Sequence, residues 1–363
     1  MRILHTESSC GWGGQELRIL DESRGMVGRG HTVTIAAPVE SRLLAEARRR
    51  GLEAIDLPIA RKSPRGVLSL YRWLRNHPVD VINTHSSTDS WLTAVACAIS
   101  GRTAAIVRTR HISAAVPENR ATRWLYVSAT HHVVTTGEAL RRQLIDVNGF
   151  PADRVTSVPT GVDTRRFAPG ERAAARRALD LPPRAFLLGI VATLRSWKGH
   201  RYLLETFATI ARGDCMLVIV GDGPQRANIE SQIAELNLAD RVIMAGNQSD
   251  VLPWLHAIDL FVLPSYANEG VPQALVQAML CALPCVTTDV GSIGEAARDG
   301  ETALVVPARD VVALGQALQR LIGSEELRNA LGRAARAHCE NRFSVAQMLD
   351  RMEDLFQDAV RKV

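Results

Sequence analysis

Short apolar runs that end in polar, glycine or proline residues recur along this 363-residue chain, each followed by a stretch of helical spacing. That alternation restricts the fold more than any other feature of the sequence. Residues 2–7, 32–37, 52–57, 79–84, 104–109, 133–135 and 155–158 read as strands of a first parallel sheet. Residues 16–29 read as an amphipathic helix closed by Gly28 and Gly30. Residues 159–184, with PTGVDTRRFAPG and then LPPR, break the pattern and suit a link between domains. The alternation then restarts, with strands at 186–192, 216–220, 241–245, 260–263, 284–287 and 303–306. Two doubly wound α/β domains are expected at this length, each large enough for its own core. Their expected extents are 1–165 and 166–343. Residues 344–363 form a closing helix with Val345, Met348, Leu349, Met352, Leu355 and Phe356 on one stripe.

Residues 259–295 read DLFVLPSYANEGVPQALVQAMLCALPCVTTDVGSIGE. The apolar run 259–264 suits a buried parallel strand, which Gly270 and Pro272 break. Pro272 is expected as the first helical residue, where no backbone donor is needed. The helix carries Leu275, Met279 and Ala282 at helical spacing, and Gln273 and Gln277 share another face. CVTTDV then leads into a loop from Gly291 to Gly294 and to Glu295. Taken alone, Glu269 is an ordinary turn residue and the two glutamines are surface residues. Together, two strand-end loops of one βαβ unit, each with Gly and Glu, converge on one crevice where backbone amides can hold an anion.

This segment resembles the donor-binding region of the retaining glycosyltransferases of family 4, which have the GT-B fold of two Rossmann-like domains facing across a cleft. The family pattern S-x-x-E-G-x-P-x-x-x-x-E-A-x-A-x-G-x-P-V is met by Ser265, Glu269, Gly270, Pro272, Ala278, Met279 and Pro284. Two positions depart from it: Gln277 replaces the second Glu, and Ala282 replaces the Gly. The resemblance implies that Glu269 meets the donor sugar and that residue 277 meets the ribose hydroxyls. An uncharged Gln277 keeps one acceptor for that contact.

The resemblance extends over nearly the whole chain and is densest from 185 to 300. VATLRSWKGH matches the family segment V-G-R-L-x-x-x-K-G at Val191, Leu194, Lys198 and Gly199, while Thr193 takes the place of the family Arg and Arg195 stands nearby. Lys198 is one of only three lysines in the chain. A lysine and an arginine near a diphosphate would neutralise charge growing on the leaving group. Gly11, Gly13 and Gly14 lack the spacing of a dinucleotide fingerprint. Gly13, Gly14 and Glu16 do match the family's G-G-x-E element, where the backbone approaches the donor phosphate and sugar. VGDGP, with Gly221 and Gly223, resembles the turn beneath the nucleotide. Asp250 and Val251 open a segment resembling the one that offers backbone groups to the base, with Val271 and Gln273 completing the donor set. His111 resembles a strand-end histidine that touches the donor sugar, and His85 one in another first-domain loop. PTGVDTRRF resembles the family linker, with Thr160 for Asn.

Charge is unevenly spread. The net charge is +5 with pI ≈ 9.1, yet residues 1–165 carry about 22 Lys and Arg against about 15 Asp and Glu. The cations include Arg48, Arg49, Arg50, Arg61, Lys62, Arg65, Arg72 and Arg75, interleaved with Tyr71, Trp73 and Leu74. Such a face suits peripheral contact with an anionic membrane surface. The alternative is that Arg is simply this chain's preferred surface cation. No nucleic-acid recognition motif accompanies the charge, and no run of apolar residues is long enough to span a bilayer. The N-terminus reads as a strand rather than a signal peptide. Cys10, Cys97, Cys215, Cys281, Cys285 and Cys339 fit neither a disulfide framework nor a zinc spacing, and read as buried thiols of a reducing cytoplasm. No D-x-D pair stands at a strand end, so no metal is expected; the nucleotide-diphosphate sugar enters as donor substrate, and no cofactor is expected.

The implied activity is retaining transfer of a sugar from a nucleotide-diphosphate donor to a hydroxyl of a glycan or lipid-linked acceptor, in the setting of lipopolysaccharide or polysaccharide assembly. The second domain would hold the donor and the first the acceptor. Glu269, His111, Arg195 and Lys198 are the expected catalytic set. The implied departure is front-face, with the leaving phosphate receiving the acceptor proton. Two other readings stand beside it: a non-catalytic nucleotide-sugar-binding homologue, motivated by Gln277 and Thr193, and a nucleotide-sugar epimerase of similar fold.

Overall fold

The computed structural model describes residues 1–101, 104–111, 115–211 and 213–363. Two compact units emerge, Met1–Gly161 with Val345–Val363, and Val162–Ser344. In the first, strands β1 (Arg2–Thr6), β2 (Thr32–Ala37), β3 (Glu53–Asp56), β4 (Val81–Thr84), β5 (Ala105–Arg110), β6 (His132–Thr135) and β7 (Val155–Ser157) form one sheet. Its order is β3-β2-β1-β4-β5-β6-β7, and every pairing is parallel. The second sheet comprises β8 (Phe186–Val191), β9 (Cys215–Val220), β10 (Val242–Gly246), β11 (Leu260–Leu263), β12 (Cys285–Thr288) and β13 (Leu304–Val306). Its order is β10-β9-β8-β11-β12-β13, again all parallel. Both units are Rossmann-like, as the alternation of strand and helix predicts.

Helices cover both faces of each sheet, so the central strands carry buried apolar runs, most fully in β11. Leu260, Phe261, Val262 and Leu263 are all buried. The C-terminal helix Val345–Arg361 belongs to the first unit, where Met348, Leu349, Met352, Leu355 and Phe356 pack with Ile3, Val81 and Val107. Arg29 ties it down through Asp350 at 2.5 Å and Glu353 at 2.7 Å.

Several details differ from expectation. The first helix spans Gly14–Gly28, opening earlier than residue 16. The first unit's leading segment closes at Gly161, ahead of residue 165. Pro272 is the N-cap, not the first helical residue: its ψ of 120° is extended, and the helix runs Gln273–Leu280. Ala282 lies beyond that helix, at φ 57°. There Leu283 N donates to Ala278 O and Ala282 N to Met279 O, the reverse turn that commonly closes a helix with a left-handed glycine. Cys10 is exposed, whereas the other five cysteines are buried and unbridged. Burial pushes the Cys281 thiol up to about 12 and Cys285 well above its usual value, which makes both packing groups.

The winding direction reverses between β1 and β4 in one sheet and between β8 and β11 in the other. At such a switch point the loops leaving adjacent strands part in opposite directions, so a crevice opens at the carboxyl edge.

Candidate active site

In the second unit, the loops leaving β8 and β11 meet at this switch point. Lys198 Nζ lies 2.6 Å from Glu269 Oε1. Ser265 Oγ donates to the same oxygen, also at 2.6 Å. Glu269 is buried, and Asn268, at φ 60°, makes the left-handed turn before it. The loops are laced by backbone: Tyr266 N donates to Trp197 O at 2.8 Å. Gly199, at φ 78°, permits this closeness, since a Cβ there would sit 2.0 Å from Pro264 O. The loop after β12 joins them, with Ser292 N donating to Glu269 O at 3.3 Å. A Cβ on Gly291 would sit 2.1 Å from that same Glu269 oxygen. The two Gly-containing loops at the start and end of the βαβ unit do converge. Glu295, in the short helix Ile293–Glu295, extends this rim.

Gly270, Val271 and Pro272 lead into the N-terminus of helix Gln273–Leu280, which has no side-chain cap. Its first amides are open to an anionic ligand. Gln273 Oε1 is buried with no partner among the described residues. Gln277 is buried, one turn further on. Amides in such positions normally find partners, so this face has hydrogen-bonding capacity to spare.

The remaining donor-site expectations fall on the same edge. Gly221 and Gly223 follow β9, where Leu194 N donates to Asp222 O at 3.0 Å and Gln225 N to Leu194 O at 2.9 Å. Asp250 and Val251 follow β10, and Asp250 is engaged by Arg166 at 2.8 Å and by Leu252 N at 3.0 Å. Thr193 O accepts from Arg195 N at 2.7 Å. The Arg195 guanidinium lies over the Trp197 ring, 5.7 Å from its centroid, and lines a cavity with His200, Tyr202 and Tyr266. The structure therefore joins Lys198 to Glu269 and gives Arg195 a different set of neighbours.

The first unit carries its own polar cluster at the carboxyl ends of β1, β4 and β5. His5 Nδ1 is 2.9 Å from His85 Nε2, and His85 Nδ1 is 3.0 Å from His111 Nε2. Burial lowers all three imidazoles, His5 to about 3 and the other two well below the usual value. His5 Nε2 faces Glu22 Oε1 at 4.0 Å, both side chains fully buried, and Arg18 Nε holds Glu22 Oε2 at 3.4 Å. A neutral imidazole has one N–H, so the bonds along this chain must all run one way. An N–H from His5 toward the Glu22 carboxylate is favourable, and a lone pair there is not. His111 then donates through Nε2 and offers Nδ1 as an acceptor.

Beside these rings, Glu7 accepts from Ser9 N at 2.6 Å and from Gln15 and Ser86. Burial, and secondly the Asp89 charge, raises its pKa. Glu16 is buried with its pKa raised by burial, and Gly13 is the extended N-cap of the helix that Gly14 opens. Sequence reasoning missed His5, Glu7, Glu22 and Asp89. For His5 and Glu7 the signal was a polar residue inside the otherwise apolar β1 run and another immediately after it; Glu22 and Asp89 lie on helices and carried none.

Two parallel-sheet Rossmann-like units with ligand-type clusters at their switch points define a GT-B type of protein, and comparisons with known proteins agree. The profile described as Glycosyltransferase Family 4 matches residues 12–166. That described as Glycosyl transferases group 1 matches residues 171–338. The chain belongs to the family 4 glycosyltransferases of the GT-B fold. Among curated relatives, a D-inositol 3-phosphate glycosyltransferase of Saccharomonospora viridis is 30% identical over 64% of this chain and 57% of its own length. The UDP-Gal:alpha-D-GlcNAc-diphosphoundecaprenol alpha-1,3-galactosyltransferase of Escherichia coli is 26% identical over 82% of this chain and 80% of its own. The match thus spans little more than half of the first of these relatives. Among solved structures, the Anabaena protein HepE in complex with UDP-glucose superposes with TM-score 0.89 at 20% identity, over 99% of this chain and 100% of that one. A glycosyltransferase from Rickettsia africae gives 0.87 at 20% identity, over 100% and 99%.

Proposed function

We propose that this protein transfers a sugar, with retention of anomeric configuration, from a nucleotide-diphosphate donor to a hydroxyl of a glycan or lipid-linked acceptor. The observation that carries this reading is the Lys198–Glu269 pair at the β8–β11 switch point, beside the uncapped N-terminus of helix Gln273–Leu280. A diphosphate there meets a lysine ammonium and open helix amides, and needs no divalent metal to balance its charge. Glu269, steadied by Ser265 and Lys198 through one oxygen, is assigned to a donor-sugar hydroxyl. Gln277 takes a ribose hydroxyl, and Gly221, Gly223, Asp250 and Val251 border the base. Arg195 is assigned to the diphosphate, reached by a swing of its exposed side chain. In the first unit, His111 is assigned to accept a hydrogen bond from a sugar hydroxyl through Nδ1.

The diphosphoundecaprenol-linked acceptor in the name of the Escherichia coli relative favours assembly of a bacterial lipid-linked glycan, and lipopolysaccharide or polysaccharide synthesis is the setting assigned to this chain. No helix among the described residues is long and apolar enough to cross a membrane. Peripheral contact with anionic lipid is assigned to residues 61–75. Arg61, Arg65 and Arg72 have no ion pair among the described residues, whereas Arg48, Arg49 and Arg50 are matched by Asp56, Glu46 and Asp21. The test is transfer of labelled sugar from a panel of UDP-, GDP- and dTDP-sugars to lipid-linked glycan, with the product anomer read by NMR. Retention supports the reading. Inversion, or binding without transfer by any donor, overturns it.

A further inference from the structure

Strand β5 breaks the rule for a buried parallel strand. Its sequence, AIVRTR, is apolar at the start and places Arg108 and Arg110 on one face at the carboxyl end. Arg108 is 4% exposed, and its Nη1 is buried with no partner among the described residues. The guanidinium carbon lies over the Tyr126 ring, 4.3 Å from its centroid. Arg110 Nη1 donates to the Tyr126 hydroxyl at 2.5 Å. Both arginines line a cavity of about 550 Å³ that lies wholly within the first unit and also reaches His111. Lys62 adds a third cation, its Nζ 5.3 Å from the Trp91 ring centroid. Among the described residues the lining contains no carboxylate. Leu125, Val116 and Trp91 supply an apolar wall.

Arg108 lines this cavity, and its buried Nη1 finds no partner among the described residues, so the guanidinium keeps hydrogen-bonding capacity that the fold leaves unused. Asp89 attracts it electrostatically, but the Asp89 oxygens are already occupied. They accept from Thr6 Oγ1, Ser8 Oγ, and the amides of His85 and Ser86. Three cations around one apolar-walled cavity suit a compact dianion better than a single carboxylate, and guanidinium groups match phosphate oxygens in pairs.

We propose that this cavity is a phosphate subsite for the acceptor, so that the sugar is transferred to a molecule carrying a phosphate ester, gripped by Arg108, Arg110 and Lys62. The inference rests on the transferase reading above and names its acceptor class. His111 lines the same cavity, so an acceptor anchored by its phosphate would bring a hydroxyl to that imidazole. A soluble sugar phosphate and a lipid-linked sugar both carry this phosphate, and the cavity recognises the group common to both.

The test is calorimetric titration of the full chain in saturating UDP, which occupies the donor site. The probes are glucose 1-phosphate, methyl glucoside, glucuronate, and phosphatidylcholine vesicles with or without a polyprenyl diphosphate. Expected is saturable binding of glucose 1-phosphate or of the doped vesicles, whichever source the site serves. Arg108→Gln weakens it by ~10-fold or more, and Lys62→Ala, at the exposed rim, by a smaller factor. Undiminished UDP affinity in both variants shows that they are folded. Equal affinity for glucuronate or methyl glucoside, binding unchanged in both variants, or binding of no phosphate probe overturns the proposal. Loss of UDP binding by the wild-type chain would instead overturn the donor reading, and leaves an Arg108-dependent phosphate site standing.

Discussion

Lys198 Nζ and Glu269 Oε1 lie 2.6 Å apart, brought from different strand ends to one point by the reversal of sheet winding. The pair has two functions that separate on mutation. Lys198→Met removes a cation from the diphosphate and is expected to lower kcat by ~100- to 1000-fold, as loss of a preorganised donor does. It also strands the Glu269 carboxylate in a buried site, at a cost on the order of 3 kcal/mol. Lys198→Met combined with Glu269→Gln should recover most of that stability and none of the rate. Recovery of transfer in the double variant would show that the pair is only structural.

His200, directly after Gly199, is 3% exposed, and neither ring nitrogen has a partner among the described residues. Burial, then the Lys198 charge, pushes its pKa down to about 3. The unfolded chain therefore takes up this proton below pH ~6.5, while the native state refuses it until about pH 3. Above pH ~6.5 the residue adds no pH dependence. Below it, each unit of pH favours unfolding by ~1.4 kcal/mol through this group alone. The carboxylates are common to both proteins, so comparison with His200→Leu isolates the effect. The variant's stability advantage in urea unfolding should grow as pH falls from 6.5 toward 4. A difference that is flat with pH would refute the assignment.

Ala282 closes helix Gln273–Leu280 in the left-handed region, at φ 57°, where the family pattern has glycine. A Cβ in that conformation costs about 1 kcal/mol relative to glycine. Ala282→Gly should raise the unfolding free energy by about that amount and leave transfer unchanged. A destabilised variant would mean that the methyl group's packing outweighs the backbone strain.

Most of the fold was legible because its strands are apolar runs bounded by glycine and proline, and periodicity reports burial directly. The second unit's site was legible for a related reason. Glu269, Lys198 and the glycines around them sit in loops, where a charged or conformationally special residue stands out. The first unit's cluster was not. His5 lies inside β1 and Arg108 inside β5, and a residue in a strand is read first as core or surface. Only the sheet order, which puts β1, β4 and β5 side by side, turns His5, His85 and His111 into one chain. Pro272 and Ala282 were misplaced because helix ends depend on cap geometry that spacing does not encode.

Removal of divalent metal provides an independent check on how the leaving group is neutralised. With Lys198 and the uncapped helix Gln273–Leu280 assigned to the diphosphate, excess chelator should leave the transfer rate within about twofold of its untreated value. A loss reversed by magnesium or manganese would move that role from the protein cation to a metal ion.

The His5–His85–His111 chain makes its prediction through a tautomer. Burial raises the Glu22 pKa and Arg18 draws it back; the carboxyl oxygen that Glu22 turns toward His5 sets the direction of proton donation, and two intervening rings carry that choice to His111. Nitrogen-15 NMR of the resting protein should show His111 protonated at Nε2 and bare at Nδ1. Glu22→Gln can turn its amide oxygen or its NH₂ toward His5, so either direction becomes available and the Nδ1–H form of His111 should appear. His111→Gln, which can still accept a hydrogen bond, should retain more transfer than His111→Leu by ~10-fold, the value of one hydrogen bond to a reacting sugar. A purely structural chain would shift melting temperature in these variants and leave both the tautomer ratio and the Gln–Leu difference in rate unmoved.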